Sequence, residues 1–240
     1  MSNQPESANP LQEPPHIAAF FRALDDRRKE EPLVGAIIGG KEVCKRLIAA
    51  MKDTKGVHVE SLLGALGSLA GFTCQMSVRA EDPAAGDGAF VVVGGADGRS
   101  YFFGDRLNGP LAENQYSIWG LAAGKAQGLG CTELPDINEI FSHVTTTVGG
   151  DRFGLPRIPE GHRPGALPFD YLKALWTGIM PLVRRFCARP AEWPILFGIA
   201  IQEAMTLGKD VIDPRLATVI VMECAVPMSK IDPELVLGGR

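Results

Sequence analysis

The apolar positions fall into two periods along the chain. Ile17, Phe20, Phe21 and Leu24 repeat at helical spacing after Pro14-Pro15, and a charged run, Asp25 to Glu31, follows before Pro32. Val43, Leu47, Ile48 and Met51 mark a second amphipathic helix. Val59, Leu62, Leu63, Leu66, Leu69 and Ala70 mark a third, expected to stop at Gly71. At Phe72 the period changes. Phe72, Cys74, Met76, Val78 and Ala80 alternate with Thr73, Gln75, Ser77 and Arg79, the two-residue repeat of a strand with one buried face. Ala89–Val93 and Ser100–Phe103 follow as β-prone runs around a turn containing Asp97-Gly98. Together these predict a three-stranded antiparallel meander.

After Pro110 the pattern is helical again. Gly120, Gly124 and Gly128 recur every four residues beside Ile118, Leu121 and Leu129, a spacing that lets a second backbone approach closely. Asp136 and Glu139 open a helix carrying Ile137, Ile140, Phe141 and Val144. The segment Gly149–Pro168 holds five glycines and four prolines and predicts an irregular loop or a seam between domains. Three helices are expected beyond it: Tyr171–Cys187, kinked at Pro181; one from near Pro194 to Gly208; and one capped by Asp213 with Pro214 in its first turn. The fold expected is α+β and predominantly helical, a helical bundle with a small three-stranded antiparallel β-meander. Residues 1–15 are expected as a mobile tail and 16–240 as a single globular domain.

Composition narrows the function classes. With 240 residues, 45% of them hydrophobic and 22% charged, the chain can build a core without disulfide or metal staples. A net charge of −4, and 7% aromatic residues with no basic stripe, argue against nucleic acid as a partner. The proline-rich start has no basic or apolar run of the secretory kind, and apolar stretches such as Trp193–Ile201 are shorter than a membrane span needs. Five cysteines at least 30 residues apart, without a CxxC pair, are expected as reduced thiols. A cytoplasmic protein without membrane association, metal or other cofactor is the resulting expectation.

Four features carry candidate chemistry. Gly35-Ala36-Ile37-Ile38-Gly39-Gly40-Lys41-Glu42 nearly spells a phosphate-binding loop, but Glu42 stands where a magnesium-binding hydroxyl belongs, and a glycine-broken helix start is the simpler reading. Glu203 and Glu223 lie on otherwise apolar helices. They are the candidate catalytic carboxylates if they face each other, and otherwise partners for Arg184, Arg185 or Arg215. His58 and Glu60 resemble a base with its orienter, but residues two apart within a helix do not share a face, and no nucleophilic serine motif is present. Arg152, Arg157, His162 and Arg163, in the loop with Asp151, are candidate ligand-binding residues for an anion or an acidic protein surface. Two function classes remain. One is a non-catalytic ligand- or protein-binding module that forms a homo-oligomer through the Gly120/Gly124/Gly128 helix. The other is a hydrolase or transferase acting on an anionic small molecule.

Overall fold

The computed structural model describes residues 14–238, so most of the tail expected at 1–15 lies outside it. The chain divides into two compact units, residues 1–35 and 36–240. In the first, α1 (Pro15–Arg27) starts with proline in its first turn, where the missing N–H costs nothing. Surface ion pairs, Arg27 to Glu31 and Lys29 to Asp26, flank its end.

The second unit is built around one helix, α3 (Val59–Glu81), buried along nearly its whole length. It packs against α7 (Pro168–Phe186), α8 (Glu192–Leu207) and, most extensively, α9 (Pro214–Met228). Glycine sets the α3–α9 crossing. A Cβ at Gly67 would lie 2.5 Å from the Val221 carbonyl oxygen, and one at Gly71 would lie 1.9 Å from that of Ala225. Both distances are shorter than any real contact, so α9 can lie this close only where α3 has no side chain. By length and composition α3 could cross a membrane, but 94% of its apolar window is covered by the protein itself.

The strand expected over Phe72–Ala80 is therefore the second half of α3, which does not stop at Gly71. The alternation misleads because its polar members are as buried as its apolar ones: Thr73 and Gln75 have no exposed surface and Ser77 has 2%. Thr73 Oγ1 donates to the Leu69 carbonyl at 2.6 Å and Ser77 Oγ to that of Cys74 at 2.9 Å. Short hydroxyls thus satisfy themselves on the helix backbone and enter the core. The sheet is a two-stranded antiparallel hairpin, β1 (Val91–Gly94) with β2 (Ser100–Phe103), in which Val92 faces Phe102. Arg79, near the end of α3, fixes it. Its guanidinium lies 4.7 Å from the Phe90 ring centroid and 4.5 Å from that of Phe102, and donates to Asp87 at 2.7 Å.

A second correction concerns α2 (Val34–Met51), which runs unbroken through Gly35–Glu42. Its backbone amides are spent within the helix, and Gly39 and Gly40 seat it against Phe186, Leu196 and Ile199, so no phosphate-binding loop exists here. The glycine-spaced helix is α5 (Ile118–Gly128). Cβ atoms at Gly124 and Gly128 would meet nothing within 4 Å, and both residues are exposed. Among the described residues, none packs on this glycine face.

The remaining helices follow the sequence. In α6 (Ile137–Thr147) the Asp136 carboxylate accepts the Asn138 N–H at 2.8 Å, and in α9 that of Asp213 accepts the Leu216 N–H at 2.9 Å. Two short helical turns, α4 (Asp105–Asn108) and α10 (Glu234–Leu237), complete the unit.

The contrast between the two glycine sets is testable by chemical denaturation. Gly71→Ala forces α3 and α9 apart and is expected to cost about 1–3 kcal/mol, the usual range for overpacking. Gly124→Ala, on an open helix face, is expected to be neutral or stabilising by up to about 1 kcal/mol through helix propensity.

Candidate functional site

The glycine- and proline-rich segment 149–168 is an ordered strap laid across the α3–α9 pair. Gly149, with φ +71°, lets the strap begin against the hairpin turn: a Cβ there would lie 2.6 Å from the Ala96 nitrogen. The Phe153 ring then meets Tyr101 edge-on at 4.8 Å. The central anchor is Arg157 on Glu223 of α9. One Glu223 oxygen accepts the Arg157 backbone N–H at 3.0 Å; the other receives Nε at 2.9 Å and Nη2 at 2.7 Å. The same Nη2 donates to the Glu139 carbonyl of α6 at 3.2 Å.

The far end of the strap is held by the start of α3. His58 is the N-cap residue, with extended backbone (φ −70°, ψ 109°). Because it precedes the helix, its ring folds over the first turn and reaches Glu60, which a helical residue two positions away could not, as well as Ser61 three positions on. His58 Nδ1 lies 2.7 Å from Ser61 Oγ, and His58 Nε2 lies 3.2 Å from Glu60 Oε2. The other Glu60 oxygen is 2.9 Å from His162 Nδ1, and Ser61 Oγ accepts the Gly165 N–H at 2.8 Å. Pro164 packs into the space left by Gly64 of α3. Burial would raise the Glu60 carboxyl. The His162 hydrogen bond, its own amide and the charges of His58 and His162 outweigh that, holding it below the ordinary carboxylate range.

Strap residues on either side of these anchors, with Asp170 at the start of α7, line a cavity of about 540 Å³. Leu155, Pro156, Ile158, Pro164, Ala166 and Leu167 form an apolar wall, with Arg163 and Asp170 as its charged members. That volume lies within the range of small-molecule sites, roughly 300–1,000 Å³. Among the described residues, neither Arg163 nor Asp170 has an ion-pair or hydrogen-bonded side-chain partner. A shallower, open concavity of about 580 Å³ lies beside Arg157 and is lined by Asp136, Asn138, Glu139, Ser142, His143 and Thr146.

The candidate residues thus separate. Arg163 faces the cavity, Arg157 and His162 are consumed as anchors, and Arg152 is exposed outside it. Glu223, 3% exposed, is the strap's counter-ion, and its arginine is Arg157 rather than Arg184, Arg185 or Arg215. Glu203 is half-buried on α8 near Cys44, whose thiol burial and the Glu203 charge push up to about 12. Glu223 is engaged by Arg157, whereas the charge of Glu203 acts on the Cys44 thiol. Sequence reasoning missed Ser61, which stands three residues after a histidine cap, the one spacing at which the two side chains meet across the first turn.

A separate buried cation lies under the hairpin. Lys230 is 1% exposed, with Nζ 5.1 Å from the Phe103 centroid, 5.6 Å from that of Phe141, and 3.4 Å from Asn108 Oδ1. Burial pushes its amine down from 10.5 to about 8, against the opposing influence of Cys74 and Glu113.

No protein family, curated protein or solved structure matches the chain.

Two measurements check the electrostatics. Arg157→Ala leaves the Glu223 carboxylate buried without its partner and is expected to cost about 3–5 kcal/mol in denaturant unfolding, with Arg157→Met plus Glu223→Leu recovering much of it. For Lys230, the unfolded chain keeps its proton up to about 10.5 while the folded chain releases it near 8. The unfolded state therefore binds more protons in that window, and stability from this group rises with pH through it. The buried thiols Cys44, Cys74 and Cys224, all pushed up by burial, act in the opposite direction above their ordinary range. The quantity to follow is thus the stability of Lys230→Met minus that of wild type. It should be positive at pH 7 and shrink between pH 8 and 10.5.

Proposed function

We propose that this protein binds a small amphipathic anion in the cavity lined by the 149–168 strap. Its apolar body rests against Leu155, Pro164 and Leu167, and its charged group meets Arg163. The observation that carries this reading is the unpaired Arg163 guanidinium at a mostly apolar concavity of about 540 Å³, in a chain whose other strap cations are already engaged or lie outside it. A guanidinium fork recognises carboxylate, sulfonate or phosphate oxygens in pairs. Preorganisation supports the same reading: prolines and the two anchors hold the wall in place before a ligand arrives, which lowers the entropy lost on binding. A concave site of this size suits a small molecule better than an acidic protein surface.

The test is a fluorescence titration with anilinonaphthalene sulfonate, an aromatic body carrying one anion. Wild type should bind it saturably at one site. Arg163→Ala and Leu167→Asp should each weaken binding at least about tenfold, a difference of about 1.4 kcal/mol, whereas Arg152→Ala should leave it unchanged. Equal affinity across all four proteins rejects the cavity as the site.

A further inference from the structure

The cluster beneath the strap has more order than a helix cap requires. A serine in the first turn that served only to cap would accept an amide of its own helix. Ser61 Oγ instead accepts the Gly165 N–H of the strap at 2.8 Å, and its remaining contact is His58 Nδ1 at 2.7 Å. An ionised carboxylate can only accept, so the His58 proton belongs on Nε2, 3.2 Å from Glu60 Oε2, and in the neutral ring Nδ1 then takes the Ser61 hydroxyl proton. Glu60 is only 7% exposed, although first-turn glutamates usually stand in solvent, and its second oxygen is held by His162 Nδ1 at 2.9 Å. Hydroxyl, imidazole and buried carboxylate therefore stand in series, with a hydrogen bond between Ser61 and His58 and an ion-pair contact between His58 and Glu60, the order of groups in which a serine is made nucleophilic.

Ser61 is 8% exposed and lies outside the cavity lining; Gly165, which does line the cavity, covers Oγ with its N–H at 2.8 Å, so the hydroxyl meets a substrate from the cavity when the strap lifts at Gly165.

We propose that Ser61, His58 and Glu60 form an acyl-transfer relay that cleaves small carboxylic esters. Ser61 Oγ bonds to the ester carbonyl carbon as its proton passes to His58 Nδ1. The Gly165 N–H, displaced from Oγ as the ester enters, is the nearest donor to the developing oxyanion, and the amino-terminal end of the α3 dipole favours that charge. The carbon–oxygen bond to the alcohol then breaks, and the alcohol leaves with the proton from Nδ1. Water, giving its proton to His58, adds to the acyl carbon; Oγ departs and regains that proton, releasing the carboxylic acid. Glu60 is a positioning residue. It fixes the ring orientation and stabilises the imidazolium, and His162 fixes Glu60.

The experiment uses phenylmethanesulfonyl fluoride on the full chain, with intact-mass and peptide mass spectrometry. A competent Ser61 forms an Oγ–sulfur bond and releases fluoride. One adduct, on Ser61, is expected, with a rate that rises with pH as an imidazole loses its proton. His58→Gln should slow it at least about tenfold. Glu60→Gln, which removes the charge that stabilises the imidazolium, should slow it and move the pH profile to lower pH. His162→Ala, which releases the strap from Glu60, tests whether the strap shields Ser61. The proposal is overturned by absence of a Ser61 adduct in both wild type and His162→Ala. It is equally overturned by an unchanged rate in His58→Gln, or by an unmoved pH profile in Glu60→Gln. Labelling reads Ser61 directly, so a failed dye titration leaves the relay standing and a failed labelling leaves the cavity reading standing.

Discussion

The close crossing of α3 and α9 at Gly67 and Gly71 is the constraint on which the rest of the second unit depends. Two helices usually pack 8–10 Å apart with side chains between them; here the α9 carbonyls of Val221 and Ala225 occupy the space that α3 side chains would fill. The strap spans both helices, with Glu60, Ser61 and Gly64 on α3 at one end and Glu223 on α9 in the middle. Widening the crossing would move these anchors relative to one another. The cavity wall is set by the distance between them.

Buried charge carries specificity here more than stability. Replacing a buried ion pair with apolar side chains is often neutral, whereas removing one partner is costly. Arg157 on Glu223 therefore adds little to the strength of the fold, but it makes any other seating of the strap expensive, because each alternative leaves a carboxylate buried alone. The Glu60 site works in the same way, with two imidazoles in place of the guanidinium. Among the described residues, no carboxylate is in contact with Lys230. Its ammonium rests against aromatic faces, and the folded state answers the desolvation by weakening its hold on the proton.

Much of this was legible in the sequence, but unevenly. Proline and aspartate at the start of α9, and Asp136 at the start of α6, placed those ends correctly, because capping is local chemistry. Segment 149–168 was legible as an irregular loop from its glycines and prolines alone. The Phe72–Ala80 strand was not real, since binary patterning counts Thr73 and Ser77 as polar while a helix lets them bond their own backbone. The close contact inside the chain uses Gly67 and Gly71 of α3, which have the same spacing of four as the glycines of α5 but fall where the change to a two-residue period was read as a helix end. His58 and Glu60 were set aside by a rule for residues within one helix. The rule lapses at the cap, where the backbone is extended and the ring lies over the first turn.

That cap also joins the two readings of the site. Gly165 presents one side to the cavity and its N–H to Ser61, while Pro164 packs against Gly64 on the helix that carries Ser61. A ligand held by Arg163 would lie two residues from the peptide that covers the hydroxyl, so occupancy of the cavity and exposure of Ser61 share one short backbone segment. Both anchors precede that segment, Arg157 first and His162 directly before it. The His162–Glu60 contact is the weaker: it rests on a single hydrogen bond, against the two hydrogen bonds and the ion-pair contact that tie Arg157 to Glu223. Movement of the strap is therefore directed to the end that lies over α3, where the imidazoles, the carboxylate and the serine converge.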